Sequence, residues 1–149
     1  MIGIVIAGAL AAYLNMCPCS RLPGAWLLGD RAETAISDWS FSNDREAAPL
    51  CQIQIDTWRP HSINLNCMST ENDLFVSCSN CAGKNWSQNA LTHPEGFIRT
   101  AGTVYPVTLT RMTEEEKLDG IWQARLKKVA TDSDRSRPDH WWSFQLTSR

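Results

Sequence analysis

Cys51, Ile53 and Ile55 alternate with Gln52, Gln54 and Asp56. After Trp58-Arg59-Pro60-His61 the alternation resumes, with Ile63, Leu65 and Cys67 set between Ser62, Asn64 and Asn66. A period of two puts every apolar side chain on one face of a pleated strand, and no helix satisfies it. Folded about Arg59, the segment is a hairpin in which Ile55 faces Ile63, Ile53 faces Leu65 and Cys51 faces Cys67. The three pairs share one face, which is what a single buried side requires. Cys51 and Cys67 are therefore expected in contact, as a disulfide or as packed thiols. A second reversal at Ser69-Thr70-Glu71-Asn72 would pair Cys67 with Leu74, Leu65 with Val76 and Ile63 with Cys78, extending the same apolar face.

Beyond the meander the period changes. Asn85 to Leu91 reads as a short helix ended by Pro94 and Gly96. Phe97 to Arg111 returns to strand composition with a turn at Ala101-Gly102, and Pro106 predicts an edge or a bulge. Thr113 to Val129 is the clearest helix. Leu118, Ile121, Trp122, Arg125, Leu126 and Val129 recur at three and four, and Thr113 with Glu116 forms a capping-box pattern. His140 to Leu146 predicts a last strand. The expected fold is mainly β (α+β): a small antiparallel barrel, closed by that strand, with one longer helix.

The chain has 149 residues, a size that suits one domain. Residues 2–16 are uncharged and mostly aliphatic, and Pro18, Pro23 and Gly24 cut them off from the rest of the chain. As helix they span roughly 22 Å, short of a bilayer core of about 30 Å. The segment reads as an apolar membrane anchor or uncleaved signal over residues 1–20. An irregular arm over 21–49 and a barrel domain over 50–149 complete the chain. The six cysteines suit an oxidising compartment, so the domain is expected to be extracytoplasmic, periplasmic in a bacterium. Arg21 and Arg31, on the domain side, vote for the opposite orientation. Acidic residues outnumber basic ones 16 to 14, the net charge is -2 and no Lys/Arg run exists, which argues against nucleic-acid binding.

Leu74 to Val107 carries the most chemistry. A strand ends, a loop comes next with Gly83 and Lys84, and a helix begins at once with Trp86 and Asn89. An ammonium beside a helix start is a credible anion site, and Trp86 offers a ring for stacking. This order resembles the FMN-binding split-barrel superfamily, which includes pyridoxamine-phosphate oxidases and deazaflavin-dependent nitroreductases. The resemblance rests on Gly83-Lys84, Trp86, Asn89, Leu91 and Pro94, then a hairpin through Arg99, Gly102, Tyr105 and Pro106, and covers residues 50–146 at the level of element order. It implies a split barrel in which Lys84 contacts the phosphate of FMN or a deazaflavin, with Ser79, Asn80 and Trp86 beside it.

Cys78 and Cys81 form a single C-x-x-C, open to a redox pair, half a metal site or a small disulfide, with structural sulfurs favoured. No metal site is predicted. His61, His93 and His140 read as loop residues, and Asp132, Asp134 and Asp139 lack calcium-loop spacing. Leu74 to Ser77 holds no basic residue, and no complete catalytic set can be named. The expected function is a membrane-tethered, non-catalytic accessory or binding subunit, held by residues 2–16 and meeting a protein partner or a second copy. The alternative is a flavin- or deazaflavin-dependent oxidoreductase.

Overall fold

A computed structural model describes residues 2–14, 16–19, 22–129 and 134–149. Arg21 and Asp132 lie outside them, as does Asn15 within the expected anchor. In chain order the elements are helix α1 (Ile2–Leu14), strand β1 (Asp30–Arg31), a 3-10 turn (Ser40–Asn43), β2 (Cys51–Ile55), β3 (Ser62–Thr70) and β4 (Asp73–Ser79). After these come a second 3-10 turn (Cys81–Gly83), α2 (Asn85–Thr92), β5 (Glu95–Thr100), β6 (Thr103–Arg111), α3 (Glu115–Val129) and β7 (Trp141–Ser148).

Six strands run in the order β6-β5-β2-β3-β4-β7, and β6 pairs with β7 to close an antiparallel barrel. Closure leaves β2 to β7 without a free edge along their paired stretches. The two-residue β1 adds to β6 in parallel at Thr103 and Val104. Pro106 lies after that pairing and before the stretch of β6 that pairs with β7 from Val107. The missing N–H of the proline therefore falls in a gap in the ladder, and its carbonyl accepts from Arg149 N–H at 3.0 Å.

The predicted faces hold, but both predicted registers slip by two. Cys51 opposes Leu65 and Ile53 opposes Ile63, so the hairpin reverses about Trp58 rather than Arg59. Two outside partners take up the ends of this reversal: Asp56 N–H bonds Glu95 O, and Ser62 exchanges two bonds with Gly24 of the arm. Between β3 and β4 the turn is the pair Glu71-Asn72, with φ of 51° and 71°. Two left-handed residues make the tight turn whose twist matches the strands, and Cys67 then opposes Val76. A slip of two keeps each side chain on its face. Cys51 and Cys67 are thus diagonal rather than opposed, yet their Cα atoms are 5.7 Å apart and a disulfide joins them. The turn at Ala101-Gly102 is as expected, with Thr100 paired to Thr103.

The side chains of these elements form two apolar clusters. Inside the barrel, Ile53, Leu65, Val76, Ile98, Val107, Phe144 and Leu146 pack together, joined by Trp39 from the arm and Trp86 from α2. Outside it, α3 lays Leu118, Ile121, Trp122 and Leu126 on Met68, Phe75 and Trp141, with Trp122 edge-on to Trp141 at 5.3 Å. Strand β4 lies between the two, so Leu74 to Cys78 is buried on both faces. Helix α3 begins at Glu115, and the Glu114 carbonyl accepts Leu118 N–H. Thr113 therefore falls outside the cap position, and the expected capping box does not form. The arm is not loose: Ala25, Leu27, Trp39 and Ala48 are buried against the barrel.

Helix α1 is unlike the rest. Gly3 to Ala12 are exposed on every side of it. Among the described residues, no helix is long and apolar enough to cross a membrane.

Candidate functional site: the turn before α2

Strand β4 ends at Ser79, and Asn80 turns the chain with a left-handed φ of 52°, a conformation that asparagine tolerates better than most residues. A 3-10 turn comes next, closed by Gly83 N–H to Asn80 O at 3.2 Å and Lys84 N–H to Cys81 O at 3.0 Å. The Ser87 hydroxyl donates to Cys81 O with Lys84 O also within 3.0 Å, and Gln88 Nε2 donates to Ala82 O at 3.0 Å. Beneath the turn a disulfide joins Cys78 to Cys81, so of the readings open for the C-x-x-C, the structure has the small disulfide.

The carbonyls of Asn80, Cys81, Ala82 and Lys84 thus accept hydrogen bonds within the turn and α2. Lys84 is the N-cap residue of α2 and supplies no capping oxygen, so the first-turn N–H groups receive no side-chain cap. Ser79, Asn80 and Lys84 are all exposed. The structure brings three of the four predicted contact residues together around an uncapped helix start, with one ammonium among them. A phosphate group fits that set, since it needs a cation and N–H donors.

Trp86 does not join them. It is 3% exposed, tilted against Phe144 at 5.3 Å, and its Nε1 is buried without a hydrogen-bond partner. A stacked ring does not fit there, because the indole is already part of the barrel core. A half-buried aromatic beside the turn is Trp142, which opposes Cys78 across β4 and β7 and carries the Arg111 guanidinium 3.7 Å above its ring. Sequence reasoning missed this pair. Its partners come from β6 and β7, and no local spacing links residues 111 and 142 to residue 79.

Beside α2 lies an open groove of about 1020 Å³. Asn85, Gln88, Asn89 and His93 form one wall at helical spacing, and Asp56 to Arg59 with His61 form the other. The groove brings together His61 and His93, which the sequence separates by half a barrel. Burial, and then the neighbouring Arg59, hold the His61 imidazole below its ordinary pKa. Trp58, at the tip of this wall, is 94% exposed. His140 is exposed outside the groove.

No protein-family model matches the sequence, and no characterised protein matches it significantly. Solved structures do. A Listeria innocua protein provisionally assigned as a pyridoxamine 5'-phosphate oxidase superposes with a TM-score of 0.56 at 9% identity, over 70% of this chain and 86% of that one. A conserved hypothetical protein from Mycobacterium tuberculosis gives 0.57 at 12% identity, over 82% and 86%. A Bacteroides thetaiotaomicron protein provisionally assigned to 5-nitroimidazole antibiotic resistance gives 0.57 at 10% identity, over 77% and 82%. At such identities the likeness is one of fold.

Proposed function

With a split barrel as the frame, we propose that this chain is a non-catalytic binding domain. It holds a phosphate-bearing ligand at the Ser79–Lys84 turn and is seated through α1 on a membrane, as a subunit of a larger assembly. One observation carries this reading. Lys84 and the uncapped start of α2 face outward, while Trp86, the ring meant to complete a cofactor site, is spent on the core. That is a hold for an anion in which the ring expected to stack on a cofactor is turned into the core. Helix α1 supports the seating, since it is apolar and its residues 3–12 are exposed. The two disulfides support an oxidising, extracytoplasmic setting.

The alternative reading, a flavin- or deazaflavin-dependent oxidoreductase, draws on the fold shared with the Listeria innocua protein. In that case the cofactor would supply the hydride chemistry, and Lys84 with the start of α2 would supply binding and orientation.

Titration with FMN and with a deazaflavin separates the two readings, together with the absorbance spectrum of the protein as purified. Replacing Lys84 with Ala should weaken phosphate-dependent binding by about 1–3 kcal/mol, the scale of a charge-assisted hydrogen bond. Tight binding that ignores Lys84→Ala would place the anion elsewhere. A flavin spectrum retained through purification would favour the oxidoreductase.

A further inference from the structure

We infer that the β2–β3 tip is a second membrane contact, with Trp58 lying at the headgroup level beside the end of α1. The inference rests on the proposed seating of α1 and adds a depth and an orientation to it. Helix α1 carries no charged residue, and Ile4, Val5, Ile6 and Leu10 are all more than half exposed around its circumference. A protein groove covers one stripe of a helix and leaves the opposite stripe in water. A helix apolar all round is served only by surroundings that are apolar all round, and a bilayer provides them.

The far end of that helix has a different chemistry. Tyr13 donates its hydroxyl to Pro60 O at 3.3 Å, which ties the last turn of α1 to the β2–β3 tip. On this tip stand Trp58, 94% exposed, and the exposed Arg59. The tip has a set shape: Thr57 Oγ1 donates to Arg59 O at 2.9 Å, and Thr57 N–H to Ile55 O at 3.0 Å. The arm runs past the same end, where Gly24 bonds Ser62, and exposes Leu22 and Trp26 on either side of Gly24. An apolar helix ending in a collar of tyrosine, tryptophan and arginine has the composition of a membrane interface. Amphipathic rings lie among the headgroups there, and arginine extends its head to water. The 13 residues of α1, about 20 Å of helix, suit the hydrocarbon side of the interface, and the collar marks where the apolar stretch ends.

The test reconstitutes the full chain into phosphatidylcholine vesicles brominated either near the headgroup or at mid-chain, and compares wild type with Trp58→Phe. The expected result is flotation of both proteins with the vesicles. Headgroup-proximal bromine should quench wild-type emission more strongly than mid-chain bromine, and that extra quenching should fall several-fold in Trp58→Phe. Trp26 remains in both proteins as a reference. If both proteins float and are quenched alike, the tip contact is overturned while the seating of α1 stands. If wild type stays in the aqueous phase, alone or as a dimer covering α1, the seating falls and the tip contact falls with it.

Discussion

Lys128 is a buried cation held by three backbone carbonyls. It leaves α3 for the interior, is 6% exposed, and donates to the carbonyls of Ser42, Ala48 and Cys67 at 2.5 to 2.8 Å. One ammonium thus ties the arm and β3 to the helix. Burial lowers its pKa from 10.5 to about 8, against an opposing pull from Asp44. The folded chain releases this proton at a lower pH than the unfolded chain. Between the two values the unfolded state holds more protons, so this group makes stability rise with pH from about 8 to about 10.5 and weigh least below 8. Lys128→Met removes that slope and leaves three carbonyls without their donor. The expected loss at neutral pH is about 2–4 kcal/mol. Denaturant titrations at about pH 7 and about pH 9 check it, with the gap between wild type and variant widening at the higher pH. Nothing local in the sequence marks this lysine. It sits beside Lys127 in the last turn of α3, where both read as dipole partners in solvent.

At the level of elements, the two disulfides do different work. Cys51–Cys67 spans 16 residues and joins β2 to β3 inside the core, whereas Cys78–Cys81 spans 3 and shapes only the turn before α2. In the chain-entropy account, the longer loop stabilises by about 3 kcal/mol and the shorter by about 2 kcal/mol or less. Cys51→Ser/Cys67→Ser should therefore lower the denaturation midpoint more than Cys78→Ser/Cys81→Ser. The reverse order would mean that the short bridge holds more than its turn. The first contact was legible in the alternating pattern, because the pattern assigns faces. The register was not, because a slip of two leaves every face unchanged. Glu71-Asn72, Glu95 and Gly24 decided it, one by turn chemistry and two by arriving from distant segments. Helix α2 shows the same limit. Its place and length were readable, but Trp86, Ser87 and Ala90 form the buried face, and in a helix this short and mixed nothing marks which side will meet a barrel.

For the whole molecule, the barrel is self-sufficient and α1 is an appendage to it. Residues 3–12 of α1 are exposed, and Tyr13 bonds the helix to Pro60. Deleting residues 1–14 should leave the thermal midpoint of the barrel nearly unchanged and make the chain easier to keep in solution without detergent. A large fall in the midpoint would show that α1 belongs to the folded core. The sequence by itself determined what repeats locally: the period-two faces, the helix expected over Thr113–Val129 and found over Glu115–Val129, the turn at Ala101-Gly102 and the cation at Lys84. These depend on backbone geometry within a few residues, which composition and spacing encode directly. Closure by the last strand was expected from the sequence; only the tertiary structure decided that this strand pairs with β4 and β6, that Trp86 is buried, where Lys128 is seated and that His61 meets His93 across one groove. Each of these joins segments far apart in the chain. Such contacts are selected by the packing of the whole barrel, and no window of sequence contains both partners.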